Sequence, residues 1–439
     1  MRITFVALSS PAASPILSTR WSLMIVAGLT CLLTWLAWNT NAPRMGLLLT
    51  HPGDPLGYYQ WLPGTFLNGD WSTLPYVHYL PSGKGLSLFT MGVAVMQAPF
   101  FLLARLYCTA TGIPVTGFEL PFVFARLMAS AFYCSAGLAL VYQTLRRYWG
   151  AGVAGSTCLL ILVGTNLYYY SVHDGGMSHV YSFFLFGALL NLTHGMLEKP
   201  SGVRLLGLVF CGALLVLIRP LNGVALLVPV LYGAPPRKAL RLRWQWIMTF
   251  RRWFVLAAIA ALILILPQLM YWEKQTGSLI AFTYGSKNEG FFWLDAHLWD
   301  ILFSHQGGWL LYHPIMIGAI VALAYKAYEK GGTSSNWRVL LAVWGLAWYA
   351  YASWWNWWLG GSFGHRGFVE HYAYLALPFA VFVNAAVQWF GRWRWLLLII
   401  TGALVFLNIR MSLLAYSPMD GPTWTWRSLI KMWADAFFI

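Results

Sequence analysis

Charge is what this sequence has least of. Only 9% of its 439 residues are Asp, Glu, Lys or Arg, where a soluble domain carries about a quarter, and this excludes an ordinary water-soluble globular protein. Acidic residues are the scarcest, 13 against 28 Lys and Arg. The basic excess is scattered between long apolar runs rather than gathered on one face, so it is not the footprint of a nucleic-acid binder. The five cysteines (Cys31, Cys108, Cys134, Cys158 and Cys211) are odd in number and lack a Cys-x-x-Cys spacing. Neither a disulfide framework nor a zinc knuckle is indicated, and they read as small packing residues. Internal repeats, sustained heptads, low-complexity tracts and a linker to a soluble domain are also missing. What is present is 59% hydrophobic residues and a mean hydropathy of +0.61, the composition of an all-α polytopic membrane protein.

A helix crosses the hydrocarbon core with roughly 20 apolar residues. Eleven runs qualify, near 21–38, 121–143, 152–170, 178–196, 204–218, 221–233, 253–270, 309–325, 339–354, 372–389 and 395–413. The first reads as a start anchor, because the 20 residues before it have only a short apolar stretch broken by Ser and Pro, unlike a cleaved signal peptide. A further apolar run, 86–106, decides the topology, since counting it as a span reverses every later loop. If it lies along the outer interface, 17 of the 28 basic residues fall inside, and only Glu198 and Glu329 of the 13 acidic ones do. The positive-inside rule favours that arrangement, with a cytoplasmic amino terminus. The chain then divides into one transmembrane catalytic domain, 1–439, with a first outer loop at 39–120 that carries a juxtamembrane helix, a second outer loop at 271–308 and a short tail at 414–439. All seven Asp lie on the outer face, and chemistry is sought there.

Three outer constellations stand out. In His51-Pro52-Gly53-Asp54-Pro55-Leu56-Gly57-Tyr58-Tyr59, Gly and Pro on both sides of Asp54 fix a tight turn, which is either an Asx turn or a carboxylate held in general-base position above the membrane. In Tyr168 to His179, Asp174 caps the helix that follows, or joins His173 and His179 as a metal ligand together with a further carboxylate such as Asp54. In Trp354-Trp355-Asn356-Trp357-Trp358-Leu359-Gly360-Gly361-Ser362-Phe363-Gly364-His365-Arg366, the tryptophans fit an interfacial belt. Arg366 with its glycine-rich turn fits either a phosphate receptor or an i, i+4 partner of Glu370. Arg219 in Ile218-Arg219-Pro220-Leu221-Asn222-Gly223, Arg126 and Lys84 add cations near the same surface, where each either snorkels to a headgroup or serves an anionic lipid-linked substrate.

These elements, with Phe124-Ala125-Arg126-Leu127, Arg146-Arg147, Thr276-Gly277-Ser278 and Phe303-Ser304-His305-Gln306-Gly307-Gly308, follow an order and spacing that resembles the GT-C superfamily of membrane glycosyltransferases. The resemblance is to the branch of the protein O-mannosyltransferases and the lipid A aminoarabinose transferases, and it runs over most of the chain. It departs from that branch in having no large soluble C-terminal domain, and in having His305-Gln306 where related sequences often carry Pro-Arg. The resemblance implies a GT-C-like bundle, here of about eleven transmembrane helices, and an outer-face enzyme; the compact loops and the absence of a retention signal point to a bacterial inner membrane and work in the cell envelope. That enzyme would take a hexose or pentose from a polyprenyl-phosphate carrier to a hydroxyl of a glycan, lipid or protein. It also implies that 86–106 is juxtamembrane and that the first-loop Asp is the base.

On that expectation Asp54 removes the acceptor proton with Asp174 beside it, and Arg366, Arg219 and Lys84 hold the departing phosphate. Tyr58, Tyr59, Trp355, Trp358 and His365 line the sugar or lipid path. A divalent ion, if one takes part, would be held by Asp54, Asp174 and His179. Two rivals come from other classes: a lipid-linked glycan polymerase or ligase, which can work without an acidic base, and a lipid or sugar flippase, which would place its charges mid-span in repeated halves.

Overall fold

The structure is a computed structural model that describes residues 19–284, 289–331, 334–415, 419 and 423–438. Fifteen helices carry the chain: α1 (Thr19–Asn41), α2 (Asp54–Tyr59), α3 (Gly92–Thr111), α4 (Leu120–Leu145), α5 (Ala151–Gly164), α6 (Leu167–Val172), α7 (His179–Glu198), α8 (Gly202–Ile218), α9 (Pro236–Thr249), α10 (Arg251–Thr276), α11 (Ile317–Tyr328), α12 (Ser334–Ala352), α13 (Tyr372–Phe390), α14 (Arg394–Leu414) and α15 (Trp426–Phe438). Shorter helical turns link them. Among the described residues, the one sheet is a two-residue hairpin that pairs His78 with Leu86 and Tyr79 with Gly85.

The molecule is apolar outside as well as inside. Along α10, Val255, Leu256, Ile259, Leu262, Ile263 and Leu266 are all exposed, a stripe far larger than water-soluble monomers tolerate and ordinary for a helix in lipid. Six helical segments among the described residues are long and apolar enough to cross a membrane: Ser22–Leu47, Gly92–Thr111, Leu120–Leu145, His179–Glu198, Arg251–Thr276 and Tyr372–Leu414. Four shorter apolar ones accompany them. This is an all-α polytopic membrane protein, as its composition implies.

Several expected runs are interrupted. The run at 152–170 breaks at Thr165, whose backbone turns extended (φ −134°, ψ 176°). The run at 221–233 is a 3-10 turn, Pro220–Leu226, followed by one turn of α-helix. The run at 309–325 breaks at His313, ahead of Pro314. A broken helix in a membrane bundle needs other donors for the carbonyls it frees. Asn408 of α14 supplies them at Thr165, with its Nδ2 donating to the carbonyls of Val163 (2.9 Å) and Thr165 (3.0 Å). The helix expected at 86–106 starts later, at Gly92, because Leu86 belongs to the hairpin. It is long enough to cross, so its lie along or across the membrane rests on the charge count. The tail expected from 414 carries α15, whose Leu429, Met432 and Ala436 pack with Met411 of α14, Tyr312 and Phe363. The amino-terminal residues 1–18, on which the signal-peptide question turns, lie outside the described residues, as does part of the tail.

The core is built on α4, which packs against α1, α3 and α7, while α7 and α10 both pack against α8. A second group sets α11 against α12 and α13, with α13 also meeting α5. Polar tethers then dock the first loop on this frame. Tyr271 near the end of α10 accepts from Ser87 N (2.9 Å), and Gln268 Oε1 accepts from Met91 N (2.9 Å). Asn41 and Arg44, at the end of α1, donate to the carbonyls of Val172 (2.8 Å) and His173 (2.7 Å). The three constellations are thereby gathered at one end of the bundle.

Candidate active site

Gly53 adopts φ 156°, ψ −179°, a region open essentially to glycine, and Pro55 follows as the second residue of α2. Asp54 thus opens a one-turn helix in a fixed direction. Gly176 locks this turn to the second constellation, since a Cβ there would lie 2.7 Å from both Pro55 Cβ and Arg126 Nη1. Arg126 is buried and donates to the carbonyl of Leu48 at 2.6 Å. The third constellation reaches the same place from the far end of the chain. Leu359 takes φ 58°, the single positive φ of a non-glycine among the described residues, a strained state for a branched side chain. Bonds from Leu359 N to Asn356 O (2.9 Å) and from Gly360 N to Asn356 Oδ1 (3.2 Å) hold it there.

Arg366 Nη2 donates to Asp54 Oδ2 at 3.0 Å, joining residues 312 positions apart. The pair is partly exposed, 21% for the arginine and 33% for the aspartate. Burial works against the Arg366 charge, and the Asp54 carboxylate outweighs it, so its pKa is raised. The pairing of Arg366 with Glu370 allowed for by their i, i+4 spacing is not made. Glu370 is fully buried and accepts from His179 Nδ1 at 3.0 Å, with Arg219 Nη1 at 3.6 Å. Arg219 stands where α8 ends and Pro220 begins a 3-10 turn. Its extended backbone turns the guanidinium over the Tyr351 ring, 5.7 Å from the centroid, and its Nη1 makes no hydrogen bond.

These groups border one cavity of about 540 Å³. Asp54, Tyr58, Arg219, Trp355 and Arg366, all singled out in the sequence, line it. Residues not expected from the sequence line it too: Tyr351, Tyr76, Glu289 and the stretch 280–284 of the second loop. Asp174 is not a lining residue. It sits among Arg126, Arg366 and Arg44, and burial raises its pKa more than those cations lower it. Nor is it a helix cap, because Ser178 holds the N-cap position of α7 and no side chain caps that helix.

Four expected contacts are directed elsewhere. Lys84 Nζ donates to the carbonyl of Lys274 at 2.7 Å, Tyr59 OH donates to the carbonyl of Gly117, and His365 Nε2 meets the carbonyl of Trp357 at 2.9 Å. Burial pulls His365 down to about 3. Trp358, its indole nitrogen buried, is likewise off the cavity wall. Each of these motifs named a place but not the direction of its side chains. The metal ligand set Asp54, Asp174 and His179 does not fit an ion either. Asp54 and His179 line the cavity but Asp174 does not, and no group of three or more His, Cys, Asp or Glu among the described residues is arranged to hold one. Glu370 was missed as a site residue because its partner His179 lies 191 positions away, beyond any local spacing.

No protein-family model matches the chain, and no curated protein does. Among solved structures it is similar to ArnT from Cupriavidus metallidurans, in a crystal structure bound to undecaprenyl phosphate. The match covers 95% of this chain and 75% of that one, with a TM-score of 0.50 and 14% identity. At that identity the likeness is one of fold, and the fold is GT-C-like.

Proposed function

We propose that this chain is an inverting glycosyltransferase that moves a sugar from a polyprenyl-phosphate carrier to a hydroxyl acceptor, on the outer face of a bacterial inner membrane. The observation that carries the reading is the meeting of Asp54 and Arg366 at the wall of one cavity, with Arg219, whose Nη1 makes no hydrogen bond, on the same wall. The GT-C-like fold, and the undecaprenyl phosphate held by ArnT, give it further support.

Phosphate already leaves as an anion, so the transfer needs its charge held and the acceptor deprotonated. On donor binding, Arg366 turns from Asp54 to the phosphate. The pair is partly exposed, so the guanidinium can change partners, and the exchange frees the carboxylate. The acceptor oxygen then attacks the anomeric carbon from the face opposite the phosphate. As the new C–O bond forms, the bond to the phosphate oxygen breaks and its electron pair leaves with the phosphate. The acceptor proton passes to Asp54. One displacement inverts the anomeric centre. Arg219 and Arg366 hold the developing charge in a site shielded from water, where each fixed donor contributes about 3–4 kcal/mol. Tyr58, Tyr284 and Trp355 supply ring faces for the sugar or the first isoprene units.

The test uses purified protein in proteoliposomes with radiolabelled polyprenyl-phosphate sugars. Asp54→Asn keeps the shape and the hydrogen bond but cannot take the proton, so turnover falls by about 10² to 10⁴ while undecaprenyl phosphate binds as before. Full turnover in that variant overturns the mechanism.

A further inference from the structure

The transfer step as written makes no use of His179 and Glu370, although both are built with unusual care. His179 is the first residue of α7 and lines the cavity. Its Nδ1 lies 3.0 Å from Glu370 Oε2, and the other carboxylate oxygen accepts from Tyr351 OH at 3.2 Å and stands 3.6 Å from Arg219 Nη1. Burial pushes the Glu370 carboxyl up, but His179 beside it, followed by Arg219, more than offsets this and holds it below the usual carboxylate range. An ionised carboxylate only accepts, so Nδ1 carries a proton, and in the neutral imidazole Nε2 keeps the lone pair.

That Nε2 makes no hydrogen bond to the described residues. Unlike the Nε2 atoms of His173, His194 and His313, it is not a sealed orphan either, and the cavity is the space that reaches it. A fully buried carboxylate costs several kcal/mol to desolvate, and packing alone is better served by apolar side chains. What the carboxylate gives in return is a fixed ring orientation and tautomer, as it does for histidines that must present one nitrogen to a ligand.

We propose that His179, oriented by Glu370, accepts a hydrogen bond from a hydroxyl of the sugar carried by the donor lipid. Glu370 touches both His179 and Arg219, so the acceptor nitrogen is held next to a cation assigned to the phosphate, where the attached sugar lies. His179 is then a binding residue that reads the sugar, and Glu370 is a positioning residue acting through it. This rests on the polyprenyl-phosphate reading above.

The full-length protein in lipid nanodiscs is titrated with undecaprenyl phosphate alone, and with undecaprenyl phosphate bearing glucose, mannose, galactose or arabinose. Wild type prefers at least one sugar-bearing lipid over the bare one. His179→Asn keeps a donor for Glu370, so the pair still packs, but removes Nε2. It lowers affinity for the preferred lipid about tenfold, the scale of one hydrogen bond, and leaves the bare lipid unchanged. Glu370→Gln, whose amide oxygen still accepts from Nδ1, retains most of the selectivity, whereas Glu370→Leu loses it. The readout is the ratio of the two affinities, which general damage to the fold does not move. An unchanged ratio in His179→Asn, an equal loss for both lipids, or a wild type without sugar preference overturns the inference. A wild type that binds none of the lipids overturns the polyprenyl-phosphate reading, and this inference with it.

Discussion

A guanidinium that faces a carboxylate at 3.0 Å, yet keeps a fifth of its surface exposed, is placed to change partners, and substitutions at Arg366 read whether it does. Arg366→Ala lowers affinity for undecaprenyl phosphate about ten- to a hundredfold, the worth of a charge-assisted bond. Arg366→Lys restores only part of it, since a point charge cannot reproduce the bidentate fork. Equal binding in wild type and Arg366→Ala would shift the phosphate to Arg219. Gly176→Ala tests the joint between two constellations. The added Cβ must push on Pro55 and Arg126, so it costs about 1–3 kcal/mol of stability and moves Asp54, and transfer falls by more than the melting temperature alone accounts for. At this scale the sequence was legible where a charge stood alone in apolar surroundings. Asp54, Arg219 and Arg366 stood out because charge is costly there and glycine or proline fixed the chain around them. Glu370 was visible only as a neighbour of Arg366, and its true partners lie on α7, at the end of α8 and on α12.

Helices were readable in this chain because lipid imposes length and hydropathy together, and breaks were not, because a break depends on who repairs it. Nothing in Val163-Gly164-Thr165-Asn166 reveals that Asn408 will satisfy the freed carbonyls. Asn408→Leu leaves those acceptors bare and also strips His313 of its partner at 3.0 Å, so it destabilises by about 1–3 kcal/mol, measured as thermal unfolding in detergent. The loops between helices carry a second vulnerability, to acid. Burial holds His173 and His371 at about 4 and His365 at about 3, against an ordinary value of 6.5. With folded values depressed, the unfolded chain takes up protons first. Their contribution is therefore intact above pH 6.5 and is lost progressively as pH falls from 6.5 toward 4 and below. The melting temperature should drop over that window, and His371→Gln should flatten part of the fall. A melting temperature flat between pH 7 and 4.5 would contradict this.

For the molecule as a whole, the open structural question is which way α3 lies. By length and composition it qualifies as a span, yet counting it as one would reverse every later loop and carry most of the basic residues to the outer face, against the positive-inside rule. With the amino terminus inside and α3 along the surface, Ser82→Cys and Glu119→Cys, one on each side of α3, are both labelled by an impermeant maleimide from outside. Labelling from opposite sides would overturn the arrangement. Fold class was legible from composition alone, because 9% charge admits few alternatives. The shared cavity was not, since it exists only where three segments far apart in sequence converge.

That convergence also sets a schedule. Asp54 leaves the ribosome 312 residues before the arginine that pairs with it, an interval of roughly 15–60 s at the usual pace of synthesis. Throughout it the carboxylate waits at the edge of the bilayer without its partner, while seven or more hydrophobic segments insert behind it. Any nascent chain stopped short of Arg366 consequently carries the Asp54 carboxylate without its counter-charge. Synthesis of the last fifth of the chain, rather than insertion of the first helices, is what completes this pair.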